Sequence, residues 1–145
     1  MAPVTRTTLV RAGVDEVAQV ATDPDAVFPI IGSLGRFEHI ESRPDDSQEW
    51  DLYLEVGTIH VGGRVLVEPP SDNSLVWHSV RGTQHNARIV VSPATDGATL
   101  AMTISVNFAG KLLTGWITSV LADRILARRI EASLQQLRHR IEYGG

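Results

Sequence analysis

The stretch "EWDLYLEV", residues 49–56, alternates apolar and polar side chains without a break: Trp50, Leu52, Leu54 and Val56 fall on one side, Asp51, Tyr53 and Glu55 on the other. Successive side chains of a strand point to opposite faces, so this segment makes a strand with one covered and one wet face. The pattern recurs. "TIHVGGRVLVEPP" (58–70) sets Ile59, Val61, Gly63, Val65 and Val67 against His60, Arg64 and Glu68 and stops at a double proline; "ATLAMTISVNF" (98–108) sets Leu100, Met102, Ile104, Val106 and Phe108 against Thr99, Ala101, Thr103, Ser105 and Asn107. Repeated half-wet strands predict an antiparallel sheet covered on one face only. Some other part of the chain must supply the cover.

The C-terminal segment from Lys111 to Tyr143 supplies it, being one long helix by period and composition. Leu126, Ile130, Leu134, Leu137 and Ile141 form a single narrow stripe, so this half packs on one side. Leu112, Leu113, Trp116, Ile117, Val120, Leu121 and Ile125 spread around more than half of the helix, which is either covered on two sides or borders a cavity. At the other end, "RTTLVRA" (6–12) suits a first strand. Val14, Val17 and Val20 then recur at helical spacing, with Asp15 and Glu16 in the first turn, where the helix dipole favours them. Asp23 followed by Pro24 reads as an N-cap and first helical position of a second short helix, kept short by Pro29 and by the glycines at 32 and 35. "RFEHIES" (36–42) opens the run of strands.

"SLVWHSVRGTQHNARIVVS", residues 74–92, reads as two strands around a polar turn. With an even number of loop residues in "RGTQHN", Val76, His78, Val80, Ala87, Ile89 and Val91 share the covered face, and Trp77, Ser79, Arg81 and Arg88 the other. The first set is nearly all apolar, and the second holds two arginines that are costly to bury unpaired. An odd loop would swap one strand. On the even reading Trp77 is surface packing beside Arg81 or Arg88, a cation–π contact worth ~0.5–1 kcal/mol, and His78 is the one inward histidine, with His60 and His85 outward. His78 is then either a core histidine satisfied by a backbone or tyrosine partner, or a polar group projecting into a cavity and able to move a proton near neutral pH.

Cysteine is absent, which removes disulfides, thiolate metal sites and a cysteine nucleophile together. The remaining histidines, His39, His60, His85 and His139, lack metal-ligand spacing, and no phosphate-binding glycine loop, nucleophile elbow or catalytic acid pair is present, so no cofactor or metal is expected. "VGGRV" lies inside a strand, where Gly62 and Gly63 permit a bend. The net charge of -4 and the lack of a basic aromatic strip speak against nucleic acid. No segment reaches the ~20 apolar residues of a membrane span, and the N-terminus has no signal-peptide core. The basic C-terminal segment could touch an anionic membrane surface, but reads first as a solvated helix face. A cytoplasmic monomer is the default expectation.

The order strand, two short helices, a run of antiparallel strands and a long final helix resembles the START-like (SRPBCC) superfamily, which includes polyketide cyclase/dehydrase-type proteins. "VDEVAQVATDPDAVFPII" is similar to that family's paired N-terminal helices, and "VGGRVLVEPPSDNSLVWHSV" to its strand, double-proline corner and next strand. The resemblance implies an α+β helix-grip fold: one domain, residues 1–145, whose curved antiparallel sheet of about six to seven strands wraps the C-terminal helix around a hydrophobic cavity. Its implied ligand-binding wall is Trp50, Leu52, Leu54, Val65, Val67, Val76, His78, Val80, Ala87, Ile89, Val91, Met102, Ile104, Trp116 and Val120. Fold does not choose among the family's roles. The apolar inward set favours a carrier of a small hydrophobic molecule such as a lipid, polyketide or isoprenoid. The alternatives are a polyketide aromatase/cyclase with His78 as acid/base and Trp50 or Trp116 shaping the chain, and an interaction module whose cavity is filled by Trp50, Met102 and Trp116.

Overall fold

The computed structural model describes residues 3–56, 59–107 and 115–144, with the side chains of 55, 56, 59, 60 and 115–119 outside the description. The order is β1 (Val4–Val10), α1 (Val14–Ala21), α2 (Pro24–Ile30), β2 (Arg36–Ser42), β3 (Gln48–Val56), β4 (Ile59–Val67), β5 (Ser74–Gly82), β6 (His85–Ala94), β7 (Gly97–Val106) and α3 (Gly115–Tyr143). All seven strands form one antiparallel sheet, ordered β1-β7-β6-β5-β4-β3-β2. The antiparallel sheet expected from alternation and the α+β plan that the resemblance implied are therefore present.

The two short helices start as their sequences dictate. Asp23 accepts the Asp25 amide at 3.0 Å and Pro24 occupies the first turn of α2, so an orphan N–H is satisfied and no donor is wasted. α1 has no side-chain cap; Gly13 precedes it in extended backbone, and Asp15 and Glu16 sit in the first turn. α3 covers the inner face of the sheet through Leu126, Ile130, Leu134 and Leu137, all buried. It is fastened at the β1 edge, where Arg6 meets Glu131 at 3.1 Å and Glu142 accepts the Arg11 amide at 2.8 Å.

The sheet bends where β4 and β5 cross. Val65 pairs with Ser79 but Arg64 with Arg81, so Val80 is an extra residue, and it stands 52% exposed. Next to this bulge Gly63 has φ +146° and Gly82 φ +88°, and a Cβ on Gly63 would overlap the Arg81 carbonyl oxygen. The bend foreseen at Gly62 and Gly63 is thus built by Gly63 together with Gly82. Gly62 instead faces the Tyr53 ring.

The hairpin of β5 and β6 has the odd connection. His78 pairs with Asn86, and residues 79–85 lie between them. Trp77 consequently opposes Ala87, and Leu75 opposes Ile89. Ala87, Ile89 and Val91 are buried as alternation foresaw, so β5 is the strand that swaps. Val76, His78 and Val80 belong to the outer face, and Trp77, expected outside, is 0% exposed. Arg81 and Arg88 remain outside. His85, expected outside, is buried at 4%.

Candidate functional site

Trp50, Leu52, Leu54, Val65, Val67, Ala87, Ile89, Val91, Met102 and Ile104 are all buried on the inner face, as their alternation requires. Much of the space they surround is occupied. Phe28 of α2 stacks on Phe37 with centroids 4.1 Å apart and meets Trp50 and Trp77 edge-on at 4.9 and 5.2 Å. These edge-to-face and stacked contacts are the arrangements that ring quadrupoles favour, so the four rings form a solid aromatic plug. Trp50 satisfies its indole through Gln48 at 2.7 Å, whereas the buried Trp77 Nε1 has no partner among the described residues.

Val120, placed in the cavity wall by composition, is 48% exposed and lines a surface groove beside Pro3–Arg6. Helical phase is not the reason, since Val120 lies within about 20° of the buried Ala127 two turns on; Val120 is exposed because it borders that open groove at the β1 edge of the sheet. Leu121 is exposed as well. The Trp116 side chain lies outside the described residues, as do those of Val56, Ile59, His60 and Ile117, and residues 108–114, including Phe108, Lys111, Leu112 and Leu113, are likewise not described. Val76 and His78 border a hollow of ≈ 350 Å³ on the outer face, with Pro3, Asn86, Arg88 and Thr103.

A separate open space draws residues from both faces of the sheet. A cleft of ≈ 460 Å³ is lined by Gly32, Gly35, Arg36, Tyr53, Leu54, Val61, Gly62 and Arg129. Leu54 and Val61 oppose each other on β3 and β4 and form its inner, apolar wall. The loop from α2 to β2 makes one rim, and it lies close to β3: a Cβ on Gly35 would come within 2.6 Å of the Tyr53 carbonyl oxygen. α3 contributes Arg129. Its Nη1 donates to the Ser33 carbonyl at 3.2 Å, and Gln136 two turns further on accepts the Ser33 amide at 3.1 Å. Arg129 Nε is buried with no hydrogen-bond partner among the described residues. Arg36 lies over the Tyr53 ring, 4.9 Å from its centroid.

A second polar feature sits on the inner face at the β5–β6 turn. His85 Nδ1 is 3.1 Å from the Thr83 carbonyl oxygen, and the His85 amide donates to Ser79 Oγ at 3.0 Å. A carbonyl only accepts, so Nδ1 carries the proton and Nε2 of the neutral ring is an acceptor. That Nε2 is buried and without a partner among the described residues. Burial holds the imidazole below its ordinary pKa, His78 adds to the effect, and the Thr83 carbonyl opposes it. His85 Nε2 can therefore accept a hydrogen bond from a ligand O–H, while burial disfavours its charged form. Among the described residues no three His, Asp or Glu side chains converge as metal ligands.

Neither Arg129 nor His85 emerged from the sequence reading. Arg129 had a signal, since it follows Leu126 by three residues and so lies on the flank of the buried stripe. His85 had a signal too, since it precedes Ala87 by two residues and shares its face of β6, but it falls in the stretch that reads as the turn.

The fold is shared with solved structures at low sequence identity. A Thermus thermophilus protein superposes with a TM-score of 0.77 at 15% identity, covering 97% of each chain. The Zhui aromatase/cyclase from a Streptomyces species gives 0.74 at 15% identity over 99% of this chain and 98% of its own. A START superfamily protein from Mycobacterium smegmatis gives 0.59 at 17% identity over 93% and 98%. No curated protein sequence matches the chain. Residues 1–142 match the family model described as polyketide cyclase / dehydrase and lipid transport, and the chain belongs to that family.

Proposed function

We propose that the chain binds and carries a small hydrophobic molecule, such as a lipid, polyketide or isoprenoid, held between the inner face of the sheet and α3. The observation that carries this reading is the cleft of ≈ 460 Å³ whose inner wall is Leu54 and Val61. Its size falls within the usual range of small-molecule sites, ~300–1,000 Å³, and it combines buried apolar residues with the polar groups of Arg36, Tyr53 and Arg129. The aromatic plug and Met102 fill the interior beside it, as the interaction-module reading would have it, but they leave this side open. The test is uptake of an apolar fluorescent probe by the parent and by Val61→Phe, whose ring occupies the cleft. Uptake by the parent and loss in a folded Val61→Phe support the reading; a parent that takes up no apolar probe defeats it.

A second reading, the polyketide cyclase, is favoured by one observation: the inward His85, whose buried Nε2 has no partner among the described residues. This imidazole, rather than His78, would be the base that removes a proton next to a ligand carbonyl before ring closure. A poly-β-ketone substrate cyclised by the parent and left uncyclised by a folded His85→Gln would support it, and equal cyclisation by both proteins would remove it.

A further inference from the structure

We propose that the cleft selects hydrophobic ligands bearing a carboxylate, and that Arg129 is the residue that pairs with it. The proposal rests on the carrier reading above and narrows its ligand to amphipathic monoanions. A guanidinium presents two edges for bidentate pairing, one formed by the two Nη atoms and one by Nε with Nη2. Ser33 engages Nη1, and Nε has no partner, so the Nε–Nη2 edge is the one left without protein acceptors among the described residues.

Nor does any described carboxylate lie within salt-bridge distance of Arg129. The described ion pairs join Arg6 to Glu131, Arg36 to Glu38, Arg43 to Glu49, Arg64 to Asp51 and Arg138 to Glu142. A half-buried cation with a buried, unpaired donor is costly, and a ligand anion would satisfy it. Placement agrees with this. Arg129 shares the cleft lining with Leu54 and Val61, so a cation and apolar side chains meet at one site, which suits a ligand with a charged head and an apolar tail. Arg36, the other cation of the lining, adds positive potential without a tight acidic partner, since its Nε is 3.6 Å from Glu38 and both are exposed. Gln136 holds the Ser33 amide, so the loop keeps a tie to α3 that does not depend on Arg129.

The experiment compares cis-parinaric acid with its methyl ester, by fluorescence titration of the full chain at neutral pH. The parent should bind the acid at least about tenfold more tightly, since a charge-assisted pair contributes roughly 1.5–3 kcal/mol. Arg129→Met should abolish this preference by weakening acid binding, and Arg129→Gln, which can still donate to the Ser33 carbonyl, should abolish it as well with the loop tie kept. Equal binding of acid and ester by the parent, or a preference that survives both substitutions, overturns the proposal and leaves the carrier reading in place. Failure of the parent to bind either compound overturns both.

Discussion

Ser79 and His85 face each other across the β5–β6 turn, the hydroxyl oxygen accepting the histidine amide at 3.0 Å. This pairing fixes the imidazole in a buried place where its charged form is disfavoured. The folded-state pKa is therefore lower than the unfolded value of about 6.5. As pH falls below that value the unfolded chain takes up a proton that the folded chain refuses, so the stability present at higher pH is progressively lost until the folded-state pKa is passed. Thermal melts at pH 7.5 and 5.5 should show a smaller drop for His85→Phe than for the parent. An identical drop in both would mean that His85 is not a source of the acid sensitivity.

Trp77 and His78 are neighbours in sequence with opposite surroundings. Trp77→Ala should cost ~3–5 kcal/mol, as expected for an aromatic ring removed from a packed core. His78→Ala, on the outer face, should stay within about 0.5 kcal/mol. Urea unfolding measures both, and the reverse ranking would restore the even hairpin.

Filled and hollow parts of the interior should respond differently to added bulk. Ala87 opposes Trp77, whose ring meets the plug, so Ala87→Phe is expected to lose ~1–3 kcal/mol by overpacking. Val61→Phe, facing the cleft, should lose less than about half of that. Comparable losses at the two sites, read by urea unfolding, would place the open space elsewhere.

Gly63 carries φ +146° against the Arg81 carbonyl, and Gly63→Ala should destabilise by more than ~1 kcal/mol. Gly32→Ala meets open space and ordinary backbone, and should change the melting temperature little. Equal melting temperatures for the two variants would show that the bend tolerates a side chain.

The strands and helices were readable because each of them leaves one face wet. Trp50 to Leu54, Val65 to Val67 and Leu100 to Ile104 show their buried face in the order of the letters, and Asp23–Pro24 marks a helix start by local chemistry alone. "LVWHSV" defied the same method. Leu75 and Trp77 are no more apolar as a pair than Val76 and Val80, so the face of β5 is set by the turn that follows, where the Val80 bulge and the positive φ of Gly82 shift the count. The cleft was hidden for a different reason. Its lining comes from a loop, three strands and one flank of a helix, and what joins Gly35, Val61 and Arg129 is tertiary packing, which leaves no periodic trace.

The pairing of Val4 with Ile104 sets a timetable for the newborn chain. Of the described strands β1 is synthesised first, yet the strand it pairs with is β7, the last of them to emerge. The hairpins from β2 to β7 can zip one after another as they emerge, each closing a short loop. β1 must wait for all of them, and α3, fastened to β1 through Arg6 and Arg11, can dock on that edge only afterwards. Such long-range closure is slow, on the millisecond-to-second scale typical of non-local β pairing. During that interval two unpaired strand edges stand open, so the nascent protein is at its most aggregation-prone just before its first seven-residue strand is captured.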